Sequence, residues 1–311
     1  METSSEALFH GKALLFQDAP DLGTIECRGS EVRSWLNGIV TCDLVPRKIG
    51  DGAFGLAVGK TGKILAELYI ALLAEDRFLV GARRATIAAL IEHFDRHLVM
   101  EDVALADASE DHAWSFVHGA GARDLAGAVR EAGGAFVPLD FTGAGTCAAI
   151  APAAKKDAVR GAIAARAGDA ILWASDEDWS AFRVERGVPW FGREFDEHTY
   201  AQEAALERFG VSFTKGCYLG QEAVFMLQVR GHVKKRLVQL AIEGAPAIAP
   251  GAEIALPDGA SVGAITSVAA SSGRTLALGH VKYKHAKPGV AFLVGGTPAV
   301  STDVVPAPKE A

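Results

Sequence analysis

The sequence predicts an α+β fold in which a larger body of mixed helices and strands is followed by a small all-β module. Three observations carry this reading. Along the first two thirds, apolar spacing switches between helical and alternating without the strict βαβ rhythm of a doubly wound sheet. Beyond about Arg236 only short strand-like runs remain, punctuated by Gly, Pro and Asp-Gly. Half of the 311 residues are hydrophobic and 22% are charged, the balance of a chain able to bury a large core. The expected division is a body over 1–235, a β-barrel over 236–304 and a disordered tail over 305–311.

From Ser30, residues Val32, Trp35, Leu36 and Ile39 recur at the spacing of one helical face, with Ser30 placed to cap the first turn. The runs GAFGLAVG, KILAELYIALL and RFLVGA then read as a strand meander bounded by glycines and charges. Ile87, Leu90, Ile91, Phe94 and Leu98 restore helical spacing, and Val103 to Ala106 and Ser115 to Val117 read as strands. Helical stretches at 123–132 and 155–167 flank the apolar run Thr146 to Ala151. RLVQLAI, GAEIAL, ASVGAITSVA, RTLALGHVK and VAFLVGG supply the strands of the barrel.

Composition narrows the function. With 31 Lys plus Arg against 38 Asp plus Glu the formal net charge is −7, which argues against a dedicated nucleic-acid binder. The four cysteines stand far apart with no C-x-x-C, so they form no disulfide framework, and a reducing compartment fits. The start lacks a basic leader followed by an apolar stretch, and no apolar run is long enough for a membrane span, so a soluble cytoplasmic protein is expected. A monomer is expected as well. Three motifs fail on inspection. Gly50 to Gly55 matches G-x-G-x-x-G but leads into a strand, where a dinucleotide site needs a helix. Gly59-Lys60-Thr61 has its partner glycine one place late for a phosphate loop, so a turn between strands is the better reading. His93 and His97 share a helical face but have no third ligand, and no metal site is expected.

Residues 183 to 236 mix polar, aromatic and glycine residues with no single period, as expected of a site rather than a core. Cys217 is central. Lys215 precedes it by two residues, and Gln221-Glu222 open a helix-like run. A helix N-terminus and an ammonium both favour a thiolate; an inert cysteine in a tight turn is the alternative. Arg230, His232, Lys234, Lys235 and Arg236 form a basic cluster suited to an acidic ligand tail, or simply a solvated turn. Glu185 can accept two parallel hydrogen bonds from an amino group beside a ring N–H, or else pair with Arg183 or Arg186.

The run K-G-C-Y-L-G-Q-E at 215–222 resembles the signature of the YgfZ-type folate-binding proteins, relatives of the glycine-cleavage aminomethyltransferases that take part in iron-sulfur protein maturation or repair. WLNGIVTCDL, GKTGKILAELYI, RVERGVPWFG, RGHVKKRL and ALGHVK resemble further elements of that superfamily, in its order. The resemblance implies a three-lobed folate-binding body around a central opening, followed by a small β-barrel. It implies tetrahydrofolate or a derivative as cofactor, with Glu185 on the pterin edge, Trp190 or a neighbouring aromatic on the flat ring, and Arg230 or the basic cluster at the acidic tail. Glu67, Lys215, Gln221 and Glu222 join them as ligand-facing residues. Cys217 is the implied reactive thiol, acting in transient contact with iron-sulfur enzymes or cluster-assembly proteins rather than as a classical enzyme. The alternative is a folate-dependent aminomethyl- or methyltransferase. The transferases carry paired aspartates in the strand turn, and here Ala66 and Glu67 stand in those places.

Overall fold

The computed structural model describes residues 14–229, 232–244, 246–271 and 274–305. Strands β1 (Leu14–Asp18) and β2 (Leu22–Arg28), which the spacing did not reveal, open the described chain. Helix α1 (Val32–Ile39) buries Val32, Trp35, Leu36 and Ile39, the stripe its spacing predicts. Ser30 does not cap it: the Ser30 hydroxyl donates to Asp102 at 2.7 Å, and α1 starts without a side-chain cap. The meander follows as β3 (Gly52–Val58), β4 (Ile64–Ala74) and β5 (Arg77–Arg83). Next come α2 (Ile87–Asp95), β6 (Ala104–Asp107), β7 (His112–His118), α3 (Ala126–Glu131), β8 (Ala135–Pro138), β9 (Cys147–Pro152) and α4 (Lys156–Ala167). The body ends with β10 (Ile171–Trp173), α5 (Asp176–Glu185), α6 (Glu207–Gly210) and α7 (Gln221–Val229). Helix α5 starts at a capping box in which Ser175 and Asp178 satisfy each other's backbone N–H.

Two five-stranded sheets form the body, in the orders β10-β1-β7-β9-β8 and β3-β4-β5-β2-β6. Alternation gives each sheet two apolar faces. One face of β4 sends Ala66, Leu68, Ile70 and Leu72 against α1 and α2. The other sends Tyr69 and Ala71 toward the first sheet, where they meet Trp114, Phe116 and Ile150. The far side of the first sheet carries Val117, Cys147 and Ala149 against Val129 of α3 and Ile163 of α4. The two sheets thus enclose a largely apolar layer between them.

A closed barrel completes the chain, formed by β11 (Lys235–Ile242), β12 (Glu253–Ala255), β13 (Ser261–Ser271), β14 (Arg274–Lys282), β15 (Ala291–Val294) and β16 (Thr297–Ser301). Closure leaves the short strands no open edge. It packs on α5 through Val184, Leu237, Leu276 and Leu278. Polar contacts fix the seam. Arg183 of α5 lies 2.9 Å from the Glu194 carboxylate and donates to the Ser267 hydroxyl of β13 at 2.6 Å, while that hydroxyl donates to Glu194 at 2.5 Å. Gln239 of β11 donates to the carbonyls of Val184 and Glu185.

Removing one partner of a buried pair leaves an uncompensated charge, at a cost of roughly 3 kcal/mol or more. Glu194→Gln should lose about that much stability in urea unfolding, and Arg183→Met with Glu194→Leu should recover most of it. Losses that simply add would show that the two groups are not coupled.

Candidate functional site

A cavity of about 240 Å³ opens between the sheets, lined by Glu67 and Tyr69 of β4, Arg83 of β5, Phe116 of β7, Trp179 of α5 and Trp190. The period-2 geometry of β4 selects its carboxyl. Glu67 shares the inward face with Tyr69, whereas Ala66 belongs to the opposite face under α1, so the two positions expected as a pair cannot serve one site. The indoles of Trp179 and Trp190 meet edge to face at 5.5 Å, and Arg83 stacks on Phe191 at 4.7 Å while donating to its carbonyl.

Burial dominates the electrostatics here. It pushes the Glu67 carboxyl up to about 7, against the opposing pull of the Arg83 guanidinium and of the Tyr69 hydroxyl hydrogen-bonded to it. His118 of β7, fully buried, is driven down to about 3 by the same desolvation, and its ring is neutral at physiological pH. It stacks on Trp179 at 5.1 Å, with its ring nitrogens 2.9 Å from Thr146 Oγ1 and 3.2 Å from Gln17 Oε1. Gln17 also lines the cavity. The site can thus offer aromatic faces to a flat ring, a carboxyl poised to hold or release a proton, and a cation.

A second cavity, about 550 Å³, lies where the β3 and β8 edges meet Ser212 and Thr214 of the loop leading to Cys217. Phe54 lines it and belongs, with Phe141 and with Tyr69 and Phe116 of the smaller cavity, to one cluster of rings whose neighbouring centroids lie 5.0 to 5.5 Å apart.

The expected site residues divide. Glu67 and Trp190 line the smaller cavity. Glu185 does not: it is buried at the end of α5, where Gln239 of the barrel donates to its carbonyl. Among the four cysteines Cys217 alone is exposed, in a loop four residues before α7 rather than in that helix's first turn. Burial raises Cys27 to about 12, and Cys42 and Cys147 to about 11. Lys215 does not face the thiol. Its ammonium donates to the carbonyls of Asn37, Val40 and Cys42, and burial lowers it to about 8 against the pull of Cys42 and Asp43. Gln221 and Glu222 open α7; the Gln221 amide donates back to the Gly216 carbonyl, Glu222 is exposed, and neither lines the smaller cavity. Arg230 lies outside the described residues. The remaining basic cluster disperses: Arg236 pairs with Glu207 at 2.7 Å, and His232 stacks on Tyr283. Arg83, Tyr69, Trp179 and His118 were not anticipated; strand alternation alone would have paired Tyr69 with Glu67.

Residues 5–143 match the family model described as the GCVT N-terminal domain, and residues 234–306 match that of the CAF17 C-terminal β-barrel domain. An aminomethyltransferase of Saccharopolyspora erythraea is 26% identical over 314 aligned positions, covering 94% of this chain and 85% of the relative. A tRNA-modifying protein YgfZ of Hamiltonella defensa is 40% identical over 73 positions, 23% of this chain and 22% of that protein, a local likeness. The crystal structure of the glycine cleavage system aminomethyltransferase T from Bartonella henselae matches with a TM-score of 0.76 at 19% identity, over 96% of this chain and 87% of that one, which shows the shared fold.

The raised Glu67 value fixes a pH dependence. A carboxyl at about 7 in the folded chain and 4.5 outside it contributes stability that is whole below about pH 4.5 and lost as pH rises through 7. Glu67→Gln, which mimics the protonated form, should be more stable than wild type at about pH 8.5 by roughly 2 to 3 kcal/mol, with the two converging toward pH 4.5 in urea titrations. Parallel curves would show that the carboxyl ionises in place at no cost.

Proposed function

Because this chain joins a GCVT-like domain to a CAF17/YgfZ-type C-terminal barrel on an aminomethyltransferase-like fold, we propose that it binds tetrahydrofolate or a derivative in the cavity between its sheets. The observation that carries this is the donor set of that cavity. A reduced pterin is flat, apolar on its faces and polar along its edge, and the cavity sets two indoles and a phenol beside one buried carboxyl. Glu67 would take the polar edge, Trp179 and Trp190 the ring faces, and Arg83 the anionic tail. Bound there, the folate would supply a ring nitrogen able to carry a one-carbon unit.

The second half of the proposal concerns Cys217. Exposed on the signature loop, it would offer its sulfur to iron-sulfur enzymes or cluster-assembly proteins in transient contact, in the cytoplasm, where thiols stay reduced. A single thiol cannot hold a cluster that four cysteines usually ligate, so the cluster would remain with the partner. A transferase is the competing reading, and the Glu67 carboxyl at about 7 favours it, since a group poised near neutrality can take or give a proton.

Three measurements decide. Calorimetry with tetrahydrofolate should give a saturable heat that Glu67→Ala or Arg83→Ala weakens at least tenfold; no heat would overturn the folate assignment. In a strain lacking the native gene, wild type should restore a radical iron-sulfur enzyme and Cys217→Ala should not; full rescue by the alanine variant would remove the thiol from the function. Turnover of an aminomethyl donor with tetrahydrofolate, abolished in Glu67→Gln, would instead establish the transferase.

A further inference from the structure

Lys215 stands two residues before Cys217 yet points inward, with the residue 9% exposed. Its Nζ donates to the carbonyls of Asn37 at 2.5 Å, Val40 at 2.8 Å and Cys42 at 2.6 Å. An ammonium has three protons, and here each has an acceptor. The carbonyls belong to the last turn of α1 and the residues just beyond, where helical carbonyls lack intrahelical partners and the helix dipole is negative. The same loop is tied down on either side of the lysine. Its own N–H donates to the Ser212 hydroxyl, the Leu219 N–H donates to the Gly38 carbonyl at 2.9 Å, and the ammonium sits 5.1 Å over the Tyr218 ring. Gly220, at φ +76°, lets the chain pass against the Gly59 carbonyl, where any Cβ would stand 2.5 Å from that oxygen.

We propose that Lys215 is a positioning residue: its ammonium pins the loop of residues 212–220 to the C-terminal end of α1 and thereby fixes where the Cys217 thiol stands. The chemistry explains why a lysine is needed. Three carbonyls converge on one point, which suits a compact ammonium with three rotatable donors; the planar fork of an arginine spreads its donors apart. The proposal deepens the reading of Cys217 as the working thiol and takes its biological meaning from it.

The test uses the full chain as wild type, Lys215→Met and Lys215→Arg, with Cys217→Ala as the blank. Because the other three cysteines are buried, alkylation of the native protein by iodoacetamide reads Cys217. Hydrogen exchange, resolved to the peptide spanning Leu219, reads the loop. Lys215→Met should raise exchange in that peptide at least tenfold and leave the sheets unchanged. Its alkylation profile against pH should keep the wild-type midpoint. A midpoint moved upward with exchange unaltered would overturn the proposal, because the lysine would then be acting on the thiol. Should Lys215→Met fail to fold, Lys215→Arg decides: it keeps the charge, so wild-type exchange in that variant would refute positioning by geometry, and released exchange would support it. Both readouts are taken on purified protein. Full rescue of cells by Cys217→Ala would therefore sink the reading of the thiol while leaving this one standing.

Discussion

Much of the molecule hangs on one buried carboxylate. Glu194 receives Arg183 from α5, the Ser267 hydroxyl from the barrel and the backbone N–H of Trp190, all in the protein interior. A charge so enclosed is tolerable only when its lone pairs are filled, so the three donors hold one another in register. The barrel is thereby fixed to α5, and Trp190, a wall of the smaller cavity, is fixed to both. The barrel lines neither cavity described, yet through Ser267 and Glu194 it is tied to the backbone of Trp190, which lines the smaller.

The same economy of burial shapes the chemistry inside. Glu67 and His118 approach Trp179 and its neighbours in one interior layer, and desolvation moves both toward their neutral forms. At neutral pH the histidine is settled and the glutamate is not. A ligand that brings a hydrogen-bond donor or a cation to Glu67 would tip that balance, so the protonation of this carboxyl and the identity of the occupant are linked.

Period and punctuation made much of the fold legible. The stripe of α1, the meander β3 to β5 and the all-β texture beyond Arg236 each follow from spacing that tertiary packing leaves intact. The strands β1 and β2 were not legible, because both faces of each are covered and no alternation shows. In the candidate site, Glu67 and Trp190 line one cavity together, although 123 residues separate them along the chain. Lys215 and Glu185 were read from their neighbours along the chain, whereas their surroundings come from α1 and from the barrel. Sequence proximity set Lys215 beside Cys217; three carbonyls from 173 to 178 residues away claimed it.

Phe54, Tyr69, Phe116 and Phe141, contributed by both sheets and by the segment after β8, tie the shape of one cavity to that of the other. Phe54 lines the larger cavity, while Tyr69 and Phe116 line the smaller. Because the rings touch one another, a change in the size of any of them is felt in the walls of both chambers.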